Sequence, residues 1–462
     1  MGMANASTRY PVLQMRFAII TTGSHGDVHP FIALALALKY RGHEVVLFSN
    51  PYFENLIIGA GVAFEPMGAM LDLRDIKTFP NLMHPWRGPS VVVNQLLIPN
   101  MHASLDELGP KLEAFAPDFV VHHHICMGVP WVTDELRIPR AAVVLAPMLW
   151  FSRGDDFVAP GWGGEDPAPW VRYLRRWAQR SGRGGMLRFM FDRPINAMRR
   201  ERGLEPIRNA YLYSTRDSAL GLGLWPEQFR PVFDTDPRPS KVCGFPWFDL
   251  NPTQHASTTE LDQFVDACHA KGTPPILFSL GTAAVHVAGK FYDIAAEACQ
   301  RLNRPGVLLV GNSGCRPKGL SETIRAFDYV PFSQIMPRCA ATVHHGGIGT
   351  TAQGLRSGKP TIIVPHSHDQ FDNAARAFRL GVSLTVRRSR LSTSRLVAAL
   401  TRVISEPLFT QRAAALGPMI GQTDGAEVAA QALEQAALKH DVLKHPAPRE
   451  HPPREFAGLP RA

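Results

Sequence analysis

The sequence lacks the long apolar runs and the closely spaced cysteines that mark several classes of protein. None of its apolar runs approaches the roughly 18 residues of a membrane-spanning helix. The start, MGMANASTRYPVLQM, has no basic segment followed by an apolar core, so no secretory signal is predicted. The six cysteines show no C-x-x-C spacing, which argues against both a zinc site and a disulfide framework. We therefore expect a soluble protein of the reducing cytoplasm.

The composition is that of a globular protein rather than a disordered one. Hydrophobic residues make up 45% of the chain and charged residues 19%. The length of 462 residues is sufficient for two domains of ordinary size, each with its own core.

Positive charge is concentrated in one segment. The net charge is +9, and residues 170–202 contain ten arginines and two acidic residues among aromatic and aliphatic side chains. One interpretation is a helical pair with solvated arginines, and the other is a basic amphipathic surface that contacts anionic lipids of the inner membrane face. We predict no nucleic-acid partner, because basic and aromatic residues are interleaved only here and the other motifs lie elsewhere. Steep salt-dependent DNA binding would contradict this.

Apolar runs and helical stretches alternate along both halves of the chain. A first helix is predicted from Pro30, in its N1 position, to about Arg41. The apolar runs predicted as strands are 16–21, 44–49, 61–64, 119–123, 141–145, 240–244, 275–280, 306–310, 341–344 and 361–365. Strands that alternate with helices predict parallel β-α-β units and doubly wound sheets, and thus an α/β fold.

The linker between the two halves is predicted within residues 237–259, where the sequence becomes polar. The predicted organisation is a flexible leader over 1–14, a Rossmann-like domain over 15–238, a second Rossmann-like domain over 239–425, a final helix over 426–439 and a disordered tail over 440–462. The tail prediction depends on its five prolines and mixed charge.

A glycine-rich turn follows the predicted strand 341–344. Glycines at a strand-to-helix turn let an anion approach the backbone, and the next helix offers unpaired N–H groups at its positive end. His345, beside the glycines, can donate to a phosphate oxygen. A turn of this kind taken alone could also serve only for tight packing.

Three motifs in this region resemble the nucleotide-sugar signature of family 1 glycosyltransferases. They are the aromatic-x-Pro of 329–331, the His-His-Gly-Gly-x-Gly-Thr run of 344–350 and the Pro-x-x-x-Asp-Gln of 365–370. The resemblance covers about residues 16–435. It implies the GT-B fold, in which two Rossmann-like domains face each other across a cleft.

The resemblance also assigns donor-binding residues. Tyr329, with Val330 beside it, would contact the base, and Asp369 with Gln370 would bind the sugar hydroxyls. The diphosphate would be held by His345, Gly347, Gly349 and Thr350, with Ser279 and Thr282 in a second turn. Gln353 stands where many relatives carry a ribose-binding Glu, and an amide offers only one acceptor group. This difference leaves room for a deoxyribose donor such as a dTDP-sugar.

A second motif, at residues 23–30, resembles the first loop of bacterial and sterol members of the family. Aligned on Pro30, Asp27 falls where plant members place their catalytic histidine, and transfer needs a base that deprotonates the acceptor hydroxyl. Asp27 taken alone would be an ordinary turn residue before a helix. The predicted partner of Asp27 is His123, in a pair with the residue types exchanged relative to plant members.

Metal binding by His122, His123 and His124 is disfavoured, because successive residues of a strand point to opposite faces. Two irregular regions, 67–90 and 146–203, are rich in apolar residues and would follow the carboxyl ends of strands, where such sheets bind ligands. One interpretation is loop packing, and the other is an apolar acceptor pocket. The residues predicted for that pocket are His25, His124, Met148 and Trp150.

The predicted activity is inverting, metal-independent sugar transfer from a nucleoside diphosphate to a lipophilic alcohol, with the nucleotide sugar as co-substrate and no cofactor. Runs such as 244–249 and 368–374 resemble the rhamnosyltransferases of rhamnolipid synthesis. This likeness implies dTDP-L-rhamnose as donor and a hydroxyalkanoyloxyalkanoate as acceptor. A UDP-glucose-dependent enzyme for a sterol, polyketide or flavonoid alcohol is the alternative. A sugar-nucleotide 2-epimerase, which shares the two-domain architecture, is a second one.

Overall fold

A computed structural model of the protein describes residues 13–70, 72, 79, 81–159, 185, 188–249, 258–311 and 314–444. Two parallel sheets with helices on their faces form the described part of the chain. The α/β prediction is confirmed.

The first sheet has seven strands in the order β3-β2-β1-β4-β5-β6-β7. Its strands are β1 (Arg16–Ile20), β2 (Glu44–Ser49), β3 (Ala63–Pro66), β4 (Phe119–His123), β5 (Arg140–Val144), β6 (Leu220–Gly223) and β7 (Ser240–Val242). β1, β4 and β5 are buried along their whole length, as expected where helices cover both faces of a parallel sheet. The strand order reverses direction between β1 and β4.

The second sheet repeats this plan with six strands in the order β10-β9-β8-β11-β12-β13. Its strands are β8 (Ile276–Ser279), β9 (Gly306–Leu309), β10 (Ile324–Phe327), β11 (Ala341–His344), β12 (Thr361–Ile363) and β13 (Ser383–Thr385). Here the order reverses between β8 and β11. Each sheet therefore has one crevice at the carboxyl ends of its central strands, where doubly wound folds bind ligands.

Helices connect the strands and cover the sheets. The α-helices are His25–Tyr40, Glu54–Gly59, Gly88–Val91, Ile98–Phe115, Val129–Glu135, Arg193–Glu201, Ala210–Arg216, Thr258–Ala270, Gly281–Ala284, Phe291–Arg301, Phe332–Ile335, Ile348–Arg356, Gln370–Arg379, Thr393–Ser405, Pro407–Gly421 and Gly425–Lys444. Short 3-10 and π-helical turns lie at Pro51–Phe53, Val92–Leu97, Pro147–Trp150, Arg188–Asp192, Val285–Val287, Met336–Arg338 and Arg388–Arg390. None of the helices in the described ranges is long and apolar enough to cross a membrane.

The first helix begins five residues before the predicted start at Pro30. It runs from His25 to Tyr40, with Ser24 as its N-cap and Pro30 inside it. Asp27 accepts hydrogen bonds from the Ser24 N–H and hydroxyl, which supports the first turn without Pro30 at N1. The prediction of the start was therefore wrong, because the cap stabilises the first turn more than the proline restricts it.

The chain returns to the first domain at its C-terminus. The helix Gly425–Lys444 places Ala430 and Leu433 in the core of the first domain, beside the first helix. Arg41 pairs with Glu427 and Glu434 there. This helix extends to residue 444, so the predicted limits of 426–439 and a tail from 440 were wrong; residues 445–462 lie outside the described ranges. β7 also belongs to the first sheet, which carries that domain beyond the predicted limit of 238.

The two domains meet in an interface that is partly apolar and partly ionic. Trp150 and Trp225 of the first domain pack with Leu355 of the second in one buried cluster. Arg376 Nη2 lies 2.7 Å from Asp155 Oδ2 in a buried ion pair across the interface. Arg230, which lies over the rings of Trp150 and Trp225 and 3.5 Å from Asp155, connects the apolar and the ionic parts of this interface.

Candidate active site

Several of the predicted site residues lie at the two places where strand order reverses. Asp27 follows β1 and His123 ends β4 in the first sheet. Ser279 ends β8, and His345 directly follows β11 in the second. Parallel strands bring their carboxyl ends to one edge of a sheet, so the topology assembles each half of the site.

Asp27 is half-buried in the first turn of the helix His25–Tyr40. Its Oδ2 accepts from Ser24 N at 2.7 Å and from Ser24 Oγ at 2.8 Å. Burial raises the pKa of the Asp27 carboxyl, and the hydrogen bonds from Ser24 partly offset this. The result is a carboxylate with a fixed position and increased basicity.

His123 does not form the predicted pair with Asp27. Its imidazole lies near the Thr22 backbone and packs against the rings of Phe31 and His124. Burial lowers the pKa of His123 to about 3, so the ring is neutral. The described hydrogen bonds of the Asp27 carboxylate come from Ser24, the N-cap of the helix, and not from His123. The predicted dyad is corrected to two separate interactions with the loop after β1.

His345 lies between two glycines of different turns. A Cβ atom at Gly281 would lie 2.5 Å from His345 Cε1, and one at Gly347 would lie 2.5 Å from His345 Nε2. Both positions therefore exclude a side chain. Burial lowers the pKa of His345 to about 4, and its Nδ1 has no hydrogen-bond partner among the described residues. A neutral imidazole with an unused nitrogen is suited to hydrogen bond a ligand.

The helix Ile348–Arg356 begins at the same point. Gly347 is its N-cap, and Gly349 in its first turn is exposed, with no atom within 4 Å of an added Cβ. Thr350 is buried beside it, and Gln353 is half-buried one turn later. The unpaired N–H groups of this first turn and the open space at Gly349 favour an anionic ligand.

Ser279 and Thr282 form the neighbouring turn. Ser279 is buried, and its Oγ accepts from Gly281 N at 3.2 Å. Thr282 is exposed in the first turn of the helix Gly281–Ala284. The serine thus shapes the turn that contacts His345, whereas the threonine hydroxyl is accessible.

Tyr329 and Val330 differ in what they can offer to a base. Tyr329 is half-buried, and burial, with the charge of Asp249, raises the pKa of its hydroxyl to about 12. The side chain of Val330 is buried in a hydrophobic cluster with Phe327, so that only its backbone can face a ligand.

Asp369 and Gln370 lie at the start of the helix Gln370–Arg379. Gln370 is buried, and its Oε1 accepts from the backbone N–H groups of His366 and Ser367, at 2.8 and 3.1 Å. Asp369 Oδ2 accepts from Asn373 Nδ2 at 2.7 Å, and the same amide donates to Gly346 O at 2.9 Å. Asn373 therefore connects the Asp369–Gln370 turn to the glycine-rich turn. The sequence analysis did not predict a role for Asn373, although its spacing of four residues from Asp369, the N-cap of its helix, would have placed the two side chains together.

The two halves of the site face each other. Burial raises the pKa of Asp369 to about 7, and the nearby negative charge of Asp27 contributes to this rise. His368 also interacts electrostatically with Asp27. Asp27 of the first domain therefore lies near the 368–369 turn of the second.

The residues predicted for the acceptor pocket have different surroundings. His25 is half-buried and packs on Tyr52 and Phe53, while His124 is fully buried against Tyr211. Neither ring nitrogen of His124 has a partner among the described residues. Met148 and Trp150 are buried too. The indole of Trp150 packs on Trp225 in the interdomain cluster, which leaves it little surface for an acceptor.

Two remaining predictions concern charge and metals. Of the basic segment 170–202, residues 170–184, 186 and 187 lie outside the described ranges. The chain contains one Asp-x-Asp spacing, in which Asp236 pairs with the buried Arg230, and Asp234 is exposed and pairs with Arg238. The described residues include no group of three His, Cys, Asp or Glu side chains that could hold a metal ion.

Two family models match separate parts of the chain. The N-terminal domain of glycosyltransferase family 28 matches residues 17–103. The C-terminal domain of proteins similar to erythromycin biosynthesis protein CIII matches residues 308–435, which contain the glycine-rich turn and the Asp369–Gln370 turn.

Known proteins are similar over most of the chain. It is 30% identical over 448 residues to the O-mycaminosyltylonolide 6-deoxyallosyltransferase of Streptomyces fradiae, covering 92% of this chain and 98% of that protein. It is 28% identical over 382 residues to a sterol 3-beta-glucosyltransferase of Arabidopsis thaliana, covering 77% of this chain and 55% of the plant protein.

Solved structures share the fold at lower identity. The glycosyltransferase of kitacinnamycin superposes with a TM-score of 0.67 at 20% identity, covering 92% of this chain and 99% of that one. Spinosyn rhamnosyltransferase SpnG in complex with thymidine diphosphate gives a TM-score of 0.63 at 17% identity, covering 91% and 100%.

Proposed function

Because the chain belongs to the family 1 glycosyltransferases with the GT-B fold, we propose that it transfers a deoxysugar from a dTDP donor to a hydroxyl of a lipophilic acceptor, with inversion and without a metal. The observation that supports this most is the position of Asp27. The carboxyl of Asp27, in the first domain, has a raised pKa and lies near enough to Asp369 of the second domain to help raise the pKa of Asp369.

The proposed reaction is a single displacement. Asp27 takes the proton of the acceptor hydroxyl as that oxygen attacks the anomeric carbon, and the bond to the nucleoside diphosphate breaks on the opposite face. The carboxylate gains one proton, and the diphosphate leaves with the bonding electrons. One in-line displacement inverts the anomeric configuration.

The negative charge that develops on the leaving diphosphate would be stabilised by uncharged hydrogen-bond donors. His345 and the first-turn N–H groups of the helix Ile348–Arg356 are fixed before the ligand arrives, because the adjacent glycines bring backbone and imidazole together. Fixed dipoles aimed at a developing charge stabilise a transition state without reorganisation. We therefore propose that these groups replace a divalent cation.

The donor proposal depends on Gln353 and on the comparisons. Gln353, in the helix of the phosphate site, replaces the glutamate that many relatives use for ribose, which favours a deoxyribose nucleotide. Structural neighbours include proteins solved with thymidine diphosphate, and one of these is a rhamnosyltransferase. We propose dTDP-L-rhamnose as the sugar donor.

The acceptor proposal depends on the apolar character of the first domain near the cleft. Phe151, Phe157, Phe191 and Tyr211 form a chain of ring contacts that reaches His124. Aromatic walls with one buried imidazole suit an apolar alcohol. We propose a hydroxyalkanoyloxyalkanoate lipid, approached by an enzyme that contacts the inner membrane face through the segment 170–202.

The experiment is a donor and acceptor panel. dTDP- and UDP-linked rhamnose and glucose are incubated with the enzyme and EDTA, with a hydroxyalkanoyloxyalkanoate or a sterol, and products are identified by mass spectrometry and anomeric NMR. We expect the inverted rhamnolipid with dTDP-L-rhamnose and EDTA. Activity only with UDP-glucose, or only without EDTA, would contradict the donor or the metal-independent mechanism.

A second candidate is a UDP-glucose-dependent sterol glucosyltransferase. It is supported by the 28% identity to the plant sterol enzyme, whose similarity covers 77% of this chain. Transfer of glucose from UDP-glucose to the sterol in the same panel would establish it. Conversion of a UDP-sugar without any acceptor would point to a 2-epimerase instead.

A further inference from the structure

The turn before the sugar-binding residues contains a histidine in an unusual conformation. His368 has φ of +56°, in the left-handed region that non-glycine residues seldom adopt. A strained backbone persists only where surrounding contacts hold it. The contacts of His368 therefore indicate what this conformation achieves.

The His368 imidazole reaches into the other domain. The ring lies beside the backbone carbonyl of Leu82, because Leu82 O and His368 Cε1 both approach an added Cβ at Gly88, and the neighbouring Ser367 Oγ donates to His84 O at 3.1 Å. Leu82 and His84 belong to the loop before the helix Gly88–Val91 of the first domain. Two consecutive residues of the donor-side turn thus hold one acceptor-side loop.

Gly88 shows how closely the two segments fit. A Cβ atom there would lie 2.5 Å from Leu82 O, 2.6 Å from Ser367 Oγ and 3.1 Å from His368 Cε1. Its φ is not positive, so glycine is required here by close contacts with Leu82 O of its own loop and with the 367–368 turn of the other domain, and not by backbone conformation.

The same imidazole lies near the base. His368 interacts electrostatically with Asp27, and Asp369, the next residue, does so as well. Burial lowers the pKa of His368 to about 4, so it is a neutral hydrogen-bonding group at neutral pH. One turn therefore connects the donor-sugar carboxylate, the acceptor-side loop and the base.

We propose that His368 is a positioning residue that couples the donor-sugar turn to Asp27, by holding the Leu82 carbonyl of the first domain against the 367–369 turn of the second. A donor sugar on Asp369 and Gln370 then fixes the turn, and through His368 it fixes the acceptor side of the cleft. This inference rests on the proposed glycosyl transfer and adds a residue to which neither the sequence motifs nor the relatives assigned a role.

The test distinguishes a loss of reactant alignment, measured as kcat, from a loss of donor binding, measured as the Kd for dTDP. His368→Gly removes the imidazole and relieves the left-handed strain, so the variant is expected to fold with an unchanged or raised Tm. We expect kcat with the donor and acceptor that wild type uses to fall about tenfold or more, as for other misaligned reactants. The Kd for dTDP, measured by calorimetry, should stay within about twofold, because His345 and the glycine-rich turn lie elsewhere.

Two further variants keep the proposal falsifiable. His368→Asn tolerates the left-handed backbone and can donate to the Leu82 carbonyl, so it should restore kcat to within about threefold of wild type. In Gly88→Ala the added Cβ pushes the first-domain loop away from the 367–368 turn, so this variant should lower kcat as His368→Gly does. Asn303→Gly, at another left-handed residue that is exposed and lies outside the cleft, is the matched control and should behave as wild type.

Three results would overturn the proposal: full kcat in His368→Gly, a loss confined to dTDP affinity, or no recovery in His368→Asn. Failure of the proposed function is distinguishable, because wild type itself would then neither bind dTDP nor transfer sugar from any donor of the panel.

Discussion

Asp27 meets two requirements at the scale of a single residue. Its carboxylate accepts from Ser24 and so supports the first turn of the helix His25–Tyr40, and it faces Asp369 across the cleft. The structural and the catalytic interpretations of this residue are therefore compatible. A substitution that keeps the cap and removes the base can separate them.

Asp27→Asn is that substitution. The amide oxygen can still accept from Ser24, so the Tm should change little, whereas the proton acceptor is lost. We expect kcat to fall about 10²- to 10⁴-fold, with dTDP affinity retained. Steady-state kinetics and calorimetry check this. Asp234→Asn, at an exposed carboxylate paired with Arg238, is the control and should keep wild-type kcat.

Gly349 is the residue whose substitution should change stability and affinity in opposite directions. It lies in the first turn of the helix Ile348–Arg356 with open space where a Cβ would point. In Gly349→Ala we expect the free energy of unfolding to rise by up to about 1 kcal/mol, because alanine favours the helix. Affinity for dTDP should fall about tenfold if the diphosphate occupies this space.

The control for this prediction is Gly59→Ala, at the end of the helix Glu54–Gly59, where an added Cβ also meets no atom within 4 Å. It should leave dTDP affinity unchanged. Unaltered affinity in Gly349→Ala would place the phosphates elsewhere.

At the scale of an element, the carboxyl ends of β4 and β11 carry buried histidines. Burial lowers the pKa of His122, His123 and His344 each to about 3, from an ordinary value of 6.5. The unfolded chain binds protons below pH 6.5, but the folded strands do not until about pH 3. Stability is therefore complete above pH 6.5 and decreases as the pH falls below it.

We expect the free energy of unfolding to fall by about 1.4 kcal/mol per pH unit for each such histidine between pH 6.5 and 3. Denaturant titrations at several pH values measure this slope. His344→Asn should make it shallower, because an amide oxygen can replace the Nδ1 that accepts from Gly346 N at 3.1 Å. His102→Asn should leave it unchanged, since that side chain is 60% exposed.

The first helix shows how an element can override a local signal. Pro30 predicts a helix start, yet the helix begins at His25, because Ser24 and Asp27 satisfy its first turn. That shift brings Asp27 from a loop onto the helix, where its position is fixed. The start of the helix at His25 thus determines the position of Asp27, the proposed base.

At the scale of the whole molecule, buried ion pairs hold the domains together. Arg376, on the helix that follows Asp369, pairs with Asp372 at 2.7 Å and with Asp155 of the first domain at 2.7 Å. Arg230 also lies 3.5 Å from Asp155. Removal of one member of such a network leaves buried charge without its partner.

Arg376→Met should therefore lower the free energy of unfolding by about 3–5 kcal/mol, as measured by denaturant titration. Arg338→Met is the matched control, because its pairs with Asp262 and Asp266 are largely exposed and should contribute about 1 kcal/mol or less. Equal effects of the two substitutions would show that the interface network does not hold the domains.

The sequence by itself determined the α/β class, because alternating apolar runs and helical stretches predict parallel sheets whatever their partners. It also located the His345 turn and the Asp369–Gln370 turn, since each is a contiguous motif with its chemistry in neighbouring residues. Helix ends and the domain limit were less accurate, because caps and strand pairing compete with propensity. Only the tertiary structure decided that Asp27 bonds to Ser24 and not to His123, that His368 reaches Leu82, and that Arg376 pairs with Asp155. The physical reason is that these contacts depend on side-chain direction and on residues far apart in the chain, which local patterns do not encode.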